Sequence, residues 1–285
     1  MTSPQYATAG GRPEPVLAGQ VVGILFRQTS TRTRTAFSAA ALRLGASIIS
    51  YGPVDLQENT GESTSDTGRV LSRMLDALVV RSAQSDAELP AYAAQSQMAV
   101  INSMSASEHP TQALADLTTI SQHFGRVEGI RVLYLGEGNN TAVALALALT
   151  RFPGTELTLL TAPGFGIPEA TVRRANEQAI AAGSRFTVAA AMDARPSDVD
   201  VVYTTRWQTT GTTKPRPDWR DSFKPFRADA ALMKVYPDAV FMHDLPAHRG
   251  EEVTADVLDG PASIAFAQAE NKLHSASAVL RWCLT

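Results

Sequence analysis

The feature that most constrains the fold of this chain is a regular alternation of short β-branched runs with longer helical patterns. The short runs predict strands at residues 21–26, 47–51, 78–81, 98–102, 131–135, 156–160, 185–189, 199–203 and 239–242. The longer patterns predict helices at residues 33–44, 65–76, 110–123, 141–151, 168–182, 228–234 and 267–284. Strands that alternate with helices in this way indicate parallel sheets covered by helices.

The predicted strands fall into two groups, which are separated by the long amphipathic pattern at residues 110–123. We therefore predict an α/β fold with two doubly wound parallel-sheet domains and a cleft between them. Residues 1–126 form the first predicted domain and residues 127–266 the second. A final helix at residues 267–285 is expected to cross back and pack on the first domain.

Composition excludes several classes of function. The chain has 285 residues, of which 44% are hydrophobic and 19% charged, and its net charge of −3 argues against bulk binding to nucleic acid or anionic membranes. No apolar run approaches the length of a membrane span, and the first residues lack the apolar core of a signal peptide. With Cys283 as its single cysteine, the chain is expected to be cytoplasmic and to contain no internal disulfide.

Polar clusters follow the predicted strands at their carboxyl ends, which is where open α/β sheets bind ligands. These clusters lie at residues 30–34, 81, 103–112, 136–140, 204–208 and 243–249. Because the carboxyl ends of parallel strands meet at one edge of each sheet, the clusters predict a single cleft between the two domains.

The cluster Ser30-Thr31-Arg32-Thr33-Arg34 comes where a strand ends and a helix begins. A helix N-terminus presents unpaired N–H groups and a partial positive charge, and hydroxyl and guanidinium groups add further donors. The cluster therefore predicts a site for phosphate or a similar dianion. The alternative is a serine N-cap followed by two exposed arginines.

Two other clusters suggest groups that stabilise negative charge. His109 and Gln112 flank the start of a helix whose first residue is Pro110, and both side chains could polarise a carbonyl. Arg81 ends an apolar strand, where an arginine seldom lies without a partner. The alternatives are a capped helix with a surface histidine and a salt bridge from Arg81 to a nearby acid.

Cofactor and metal sites are not expected. The turn at residues 136–140 resembles a dinucleotide-binding loop, but its third glycine is replaced by Thr141, so we predict no nicotinamide or flavin. His243, Asp244 and His248 match no common zinc spacing, and no metal is predicted. The segment at residues 209–227 is predicted to be a lid over the cleft or, alternatively, a flexible surface insertion.

Taken together, the motifs resemble those of the aspartate/ornithine carbamoyltransferase family, from about residue 17 to the C-terminus. The motifs that carry the resemblance are Ser30-Thr31-Arg32-Thr33-Arg34, Asp76-Ala77…Arg81, His109-Pro110-Thr111-Gln112, the block from His243 to Val253, and Glu270-Asn271-Lys272. The block from His243 onwards is most similar to the ornithine branch. The resemblance implies carbamoyl transfer from carbamoyl phosphate to an amine, without a cofactor, in a homotrimer whose active sites lie at subunit interfaces.

The resemblance also implies roles for individual residues. Carbamoyl phosphate is expected to contact Ser30, Thr31, Arg32, Thr33, Arg81, His109, Gln112, the Leu245 backbone, Lys272 and, from a neighbouring subunit, Gln57. The acceptor is expected to contact Asn139, Asn140, Thr205, Arg206, Gln208 and Asp244. The groups expected to take part in catalysis are Arg32, Arg81, His109 and Asp244.

The acceptor side departs from both branches of the family. Thr205 stands where the ornithine branch has an acid that holds the α-ammonium. Arg206 and Gln208 instead resemble the aspartate branch, in which such residues bind a side-chain carboxylate. Asn139 and Asn140 follow the ornithine pattern, and the arginine that the aspartate branch carries there is missing.

Three further departures lie near the reacting groups. Asp244 replaces the cysteine of ornithine-type enzymes, Lys272 replaces an arginine, and Thr60 replaces a basic residue. An anion at Asp244 favours an acceptor with a second cationic group. We therefore expect an acceptor other than ornithine or aspartate, such as the short diamino acid 2,3-diaminopropionate in a specialised or antibiotic pathway. The alternatives are an ornithine carbamoyltransferase of arginine biosynthesis and a non-catalytic carbamoyl-phosphate-binding protein.

Overall fold

The structure is a computed structural model, and it describes residues 14–82, 85–209, 212–214 and 216–285. Strands lie at every position where the sequence predicts one, within one or two residues at each end. They are β1 (Val21–Phe26), β2 (Ser47–Tyr51), β3 (Ala77–Arg81), β4 (Ala99–Met104), β5 (Arg131–Gly136), β6 (Glu156–Thr161), β7 (Arg185–Ala189), β8 (Val201–Thr204) and β9 (Val240–His243).

The helices surround these strands and include three short ones that the sequence did not predict. The predicted helices are α1 (Arg32–Arg43), α2 (Thr64–Leu71), α4 (Pro110–Phe124), α5 (Asn140–Leu149), α6 (Glu169–Ala182), α8 (Ala230–Val235) and α10 (Ala265–Leu284). The additional helices are α3 (Glu88–Ala93), α7 (Trp219–Phe223) and α9 (Ala255–Leu258). Each of the three has six residues or fewer, which is too short to show a helical period in the sequence.

Two parallel sheets form the centre of the fold. The first has the order β2-β1-β3-β4 and the second the order β7-β6-β5-β8-β9. All pairings within them are parallel, as expected for strands joined through helices. Strands β3 and β8 are buried along their whole length, which agrees with their mostly apolar sequences. The α/β fold with two doubly wound sheets is therefore confirmed.

The C-terminal helix α10 connects the two halves of the molecule. It packs against α1 and α4, and its residues Ala276 and Leu280 are buried in the core cluster of the first sheet. Near its start, Gln268 accepts a hydrogen bond from the backbone N–H of His243 in the second sheet. The helix thus crosses back as predicted, while the exact domain boundaries, at residues 126 and 266, stay a prediction.

Within the described residues, no helix combines the length and the apolar character that a membrane span requires.

Candidate active site

A cleft of about 500 Å³ lies at the carboxyl ends of strands from both sheets. All but one of the sequence-predicted site residues line it. These lining residues are Ser30, Thr31, Arg32, Thr33, Arg81, His109, Gln112, Asn139, Asn140, Thr205, Arg206, Gln208, Asp244, Leu245 and Lys272. The fold therefore places segments that are distant in the sequence at one cleft, beyond the carboxyl ends of the strands, where ligands are expected to bind.

The segment after β1 forms one wall of the cleft. Helix α1 starts at Arg32, and no side chain caps its N-terminus, so the N–H groups of its first turn are available to an anion. Arg32 and Thr33 line the cleft. Arg34 does not, because its guanidinium donates to the Tyr51 carbonyl at 3.2 Å. The interpretation of Ser30 as an N-cap is therefore wrong, and Arg32 is the one arginine of this segment that lines the cleft.

Arg81 is a buried cation at the base of this wall. One of its terminal nitrogens lies 3.4 Å from Ser30 Oγ, and its Nε has no hydrogen-bond partner among the described residues. Burial and the neighbouring Arg32 guanidinium lower the pKa of Arg81 to about 10, so it stays charged at neutral pH. No carboxylate in the described part of the chain forms an ion pair with it. Two close guanidiniums without a paired acid indicate a site for a dianion.

His109 lies buried beside Arg81, immediately before α4. Its backbone N–H donates to the Asn140 carbonyl at 3.1 Å, and the Thr111 hydroxyl lies 3.4 Å from its Nδ1. Burial, together with the charges of Lys272 and Arg81, holds the pKa of His109 well below its usual value. The ring is therefore neutral at physiological pH. Because His109 is buried, the interpretation as a surface histidine is wrong.

Gln112 and Lys272 meet at the floor of the cleft. Lys272 Nζ donates to Gln112 Oε1, while Gln112 Nε2 donates to Asp116 Oδ1 at 2.7 Å. Burial is the main cause that lowers the pKa of Lys272 to about 8, and nearby Asp244 and Asp116 act in the opposite direction. Burial also raises the pKa of Asp116 to about 7, which its amide donors partly offset.

Asp244 supplies a carboxylate on the opposite wall, directly after β9. Its Oδ1 accepts from the Thr205 hydroxyl and its Oδ2 from the Thr141 hydroxyl, each at 2.9 Å. The next residue, Leu245, has a φ of 52°, a left-handed conformation that is unusual for a branched residue. Local strain of this kind is typical of functional sites, where the surrounding structure holds an unfavourable backbone in place.

The two asparagines of the acceptor side have different structural partners. Asn139 caps α5, because its Oδ1 accepts from the N–H groups of Thr141 and Ala142, and its Nδ2 lies 3.4 Å from the Thr205 hydroxyl. Asn140 instead donates to the Ser105 carbonyl at 3.1 Å. Asn139 is thus connected to Asp244 through Thr205, whereas Asn140 ties the second sheet to the segment before α4.

Arg206 and Gln208 lie next to each other at the edge of the cleft. Arg206 Nε donates to the Gln208 carbonyl at 2.7 Å, and Gln208 Nε2 donates to the Thr212 carbonyl at 2.8 Å. Both side chains line the cleft. Their roles in acceptor binding stay a prediction.

Gln57 is the predicted site residue that lies outside the cleft of its own chain. It is exposed, in a single helical turn at Gln57–Thr60, and its Oε1 accepts from the Thr60 hydroxyl at 2.9 Å. This exposed position agrees with the expectation that Gln57 serves a neighbouring subunit, which stays a prediction.

The histidine and glycine motifs have structural partners. His243 Nε2 lies 3.2 Å from the buried Glu252 carboxylate, and His243 Nδ1 accepts from the Leu245 N–H at 2.8 Å. Gly138 lies against the backbone of residues 165–167, where a Cβ would approach to 2.4 Å. Close packing therefore explains this glycine without a bound nucleotide.

Buried aromatic side chains hold the segment at residues 209–227 against the second sheet, while most of its other described residues are exposed. Trp219 and Phe223 are buried in the core, and Lys214 Nζ lies 4.3 Å from the centre of the Phe165 ring. Lys214 also donates to Glu137, which accepts from the backbone N–H of Thr209 at 3.0 Å. The buried residues of the segment are part of the core and not a surface insertion, while the mobility of the segment and its role as a lid stay predictions.

The Glu137–Lys214 ion pair is expected to hold this segment in place. Both side chains are almost fully buried, so Lys214→Met leaves a buried carboxylate without its cation. Such a loss typically costs about 3 kcal/mol, and we expect the melting temperature to fall by roughly 5–10 °C. Calorimetry checks the shift, and the exposed Lys234→Met is the matched control. Equal melting temperatures for the two variants would contradict this account of the segment.

Of the structural residues at the site that sequence reasoning missed, Asp116 and Thr141 carry a signal in the sequence, whereas the Glu137–Lys214 pair does not. Asp116 lies four residues after Gln112 on the buried face of an amphipathic helix, where an acid needs partners. Thr141 directly follows the asparagine pair at a helix start. The Glu137–Lys214 pair joins residues far apart in a loop of irregular structure, and no local pattern marks it.

Sequence models of a known family match almost the whole chain. The model described as "Aspartate/ornithine carbamoyltransferase, carbamoyl-P binding domain" matches residues 3–122. The model described as "Aspartate/ornithine carbamoyltransferase, Asp/Orn binding domain" matches residues 128–283.

Curated relatives and solved structures agree with these matches. The protein named "Ornithine carbamoyltransferase, anabolic" from Pyrococcus furiosus is 39% identical over 271 residues, which cover 95% of this chain and 85% of that protein. The ornithine carbamoyltransferase of Bacillus subtilis is 35% identical and covers 94% of this chain and 84% of that protein. The solved structure of the Pyrococcus furiosus enzyme has a TM-score of 0.88 and covers 94% of this chain and 85% of that chain. The structure of ornithine carbamoyltransferase from Gloeobacter violaceus has a TM-score of 0.82 at 35% identity and covers 94% of this chain and 87% of that chain.

Proposed function

The chain is a carbamoyltransferase of the aspartate/ornithine carbamoyltransferase family, and from this premise we propose that its acceptor is an amino acid with two amino groups, with ornithine as the first candidate. The names of relatives that are 35–40% identical favour ornithine. From the sequence alone, ornithine is the alternative acceptor and a short diamino acid the main one; the relatives reverse this order, and the short diamino acid becomes the second candidate.

The donor, carbamoyl phosphate, fits the wall formed by β1, β3 and α4. Its phosphate would lie at the N-terminus of α1, between Arg32 and Arg81, where two cations and helical N–H groups converge. Its carbonyl oxygen would face Arg81 and His109, and its amide would face Gln112. The unpartnered Arg81 Nε and the clustered cations support this placement.

The transfer requires stabilisation of charge at two places. The lone pair of the acceptor amine attacks the carbamoyl carbon, and negative charge develops on the carbonyl oxygen. The carbon–oxygen bond to phosphate then breaks, and the departing phosphate takes the amine proton. In the tautomer whose Nδ1 accepts from the Thr111 hydroxyl, Nε2 of neutral His109 carries the proton and can donate to the developing oxyanion. Two substrates held in one cleft gain further acceleration from proximity.

The observation that carries the acceptor proposal is the position of Asp244. Its carboxylate is held by Thr141 and Thr205 on the wall opposite the guanidinium pair, and it is mostly buried. Lys272, Arg32 and Arg81 lie near enough to interact with this charge without forming an ion pair with it, and an ammonium group of the acceptor can supply a direct partner. The acid that the ornithine branch carries at position 205 is thus replaced by a carboxylate that contacts Thr205 from position 244.

A panel of amines tests this proposal. Phosphate release from carbamoyl phosphate is measured with ornithine, 2,3-diaminopropionate, lysine, putrescine and aspartate, and the products are identified by mass spectrometry. We expect ornithine to give the highest kcat/KM and aspartate to give no product above the rate without enzyme. A highest rate with aspartate, or with an amine that lacks a second cationic group, would overturn the proposal.

A short diamino acid remains the second candidate because of Arg206. Its side chain lines the same cleft as Asp244 and lies beside Gln208. A carboxylate near Arg206 and an ammonium near Asp244 suit 2,3-diaminopropionate. A kcat/KM for 2,3-diaminopropionate that exceeds the value for ornithine would select this candidate.

We also propose a homotrimer in which Gln57 completes the site of a neighbouring subunit. Its exposed turn lies outside the cleft of its own chain. Sedimentation is expected to give a mass of three chains. Gln57→Ala and Arg81→Ala trimers are each expected to be inactive. Trimers that mix the two chains are expected to regain activity, because some sites then combine an intact Arg81 from one chain with an intact Gln57 from its neighbour. A monomer with full activity would contradict this proposal.

Affinity for carbamoyl phosphate is expected to fall as the pH rises above about 8, where Lys272 loses its proton. Below this pKa the lysine is charged and adds no pH dependence of its own. Above it, binding must take up a proton, and affinity falls by up to about tenfold per pH unit. Calorimetric titration at several pH values measures the effect. Lys272→Arg, which keeps its charge, is expected to bind with an affinity independent of pH in this range, and the same alkaline loss in both proteins would contradict the assignment.

A further inference from the structure

Asp116 is a buried acid that the proposed reaction does not use. Its Oδ1 accepts from Gln112 Nε2 and from Gln268 Nε2, each at 2.7 Å, and its Oδ2 lies 3.1 Å from the Tyr203 hydroxyl. Gln268 in turn accepts from the backbone N–H of His243 at 2.8 Å. Asp116 therefore lies where α4, α10 and the second sheet meet, one helical turn from the floor of the cleft.

The polarity of these contacts fixes the orientation of one amide. The Gln112 nitrogen faces the Asp116 carboxylate, and the Gln112 oxygen faces the Lys272 ammonium. The reversed amide would set oxygen against oxygen at Asp116 and NH₂ against ammonium at Lys272, which are both repulsive. The carbonyl oxygen of Gln112 is thus fixed on the side of Lys272, and both residues line the cleft.

We propose that Asp116 is a positioning residue that holds the Gln112 carbonyl oxygen toward the cleft, and that it thereby sets the preference for a carbamoyl over an acetyl group on the phosphoryl donor. The inference rests on the proposed placement of the donor amide at Gln112. A carbamoyl group presents an NH₂ that can donate to this oxygen, whereas the methyl of an acetyl group of the same shape cannot. A site built to accept a hydrogen bond rejects the analogue that lacks the donor, because its own polar group is left unpaired.

The removal of Asp116 deletes one of the two contacts that orient the Gln112 amide, and only the Lys272 contact remains. A larger fraction of molecules then has the Gln112 NH₂ facing the cleft, where it repels the donor NH₂ but has no preference against the acetyl methyl. The loss of a positioned acceptor should therefore weaken carbamoyl phosphate and leave acetyl phosphate almost unaffected. A purely structural loss of packing would weaken both ligands by the same factor.

Calorimetric binding of carbamoyl phosphate and acetyl phosphate to the full chain tests the proposal. We expect Asp116→Ala to lower the ratio of the two affinities by about tenfold, the loss typical of one buried hydrogen bond. Asp116→Asn, whose carbonyl can still accept from both amides, should keep the ratio of the natural protein. If the alanine variant does not fold, Asp116→Val fills the space without an acceptor and serves in its place.

Thr119→Val is the matched control. Thr119 Oγ1 accepts from Asn271 Nδ2 at 2.9 Å, so this pair joins the same two helices one turn away and lies outside the cleft. The control should lose stability without a change in the affinity ratio. An unchanged ratio in Asp116→Ala, or an equal change in Thr119→Val, would overturn the inference. Absence of turnover with every amine would instead refute the proposed function, because the binding ratio is measured without turnover.

Discussion

Replacement of Arg81 by methionine is expected to lower kcat/KM for carbamoyl phosphate by roughly 10³-fold, the upper range for loss of one group that stabilises an oxyanion. The guanidinium lies at the base of the cleft, beside Ser30 and Arg32, where the phosphate and the carbonyl oxygen are proposed to bind. The same change should not destabilise the ligand-free protein, because it removes a buried cation that repels Arg32 and has no paired acid. Activity and stability are therefore expected to move in opposite directions, as is typical where a site is built for a ligand.

Arg34→Met is the matched control for this variant. Arg34 is on the same helix as Arg32 but donates to the Tyr51 carbonyl instead of lining the cleft. We expect its kcat/KM to stay within a few-fold of the natural value and its melting temperature to fall slightly. Steady-state kinetics measures kcat/KM of the two variants, and calorimetry measures their melting temperatures. A similar loss of activity in both would show that Arg81 acts through packing and not through its charge at the site.

Replacement of Asp244 by asparagine is expected to lower kcat/KM for the diamino acceptor by about 10²-fold, since a charged hydrogen bond in a buried site contributes up to about 3 kcal/mol. Asparagine has nearly the same shape and can still accept from Thr141 or Thr205. Affinity for carbamoyl phosphate should change much less, because two effects of the lost anion oppose each other: its charge repels the dianion, but it also helps to keep Lys272 protonated. The loss should thus be largest for the acceptor.

A second variant separates the charge from the shape. Thr205→Asp, added to Asp244→Asn, places an acid where the ornithine branch carries one, next to the original carboxylate. We expect it to restore much of kcat/KM for ornithine. The acceptor KM and the calorimetric affinity for carbamoyl phosphate are the measurements. An ornithine KM that does not change in Asp244→Asn would refute the role of this carboxylate.

The sequence predicted the strands and the cleft because both follow from local rules. Every strand position was confirmed, because a short β-branched run between two helical patterns is compatible with few structures other than a strand. Helix ends were less accurate. The second predicted helix was expected to end at residue 76, but α2 ends at Leu71 and non-helical turns cover the residues before β3. The leucines at positions 71 and 75 continue a helical spacing into those turns, and their burial in the core depends on tertiary contacts.

The direction of individual side chains was harder to predict. Arg32 and Arg34 look equivalent in the sequence, but two helical positions turn through about 200°, so one lines the cleft and the other faces β2. The partners of Asp244 and Asp116 lie on other strands and helices, so no spacing pattern reveals them. Both walls of the cleft could be located because their residues directly follow strand ends. The hydrogen bonds among these residues join distant segments, so they could not be predicted.

The measurement that tests the central claim most directly is a competition between acceptors for isotopically labelled carbamoyl phosphate. Equal concentrations of ornithine, 2,3-diaminopropionate and aspartate are mixed with the enzyme, and mass spectrometry identifies which product carries the label. We predict labelled carbamoyl on an amine of a diamino acid, with ornithine as the main product. Label on aspartate, or no product at all while carbamoyl phosphate binds, would contradict the account.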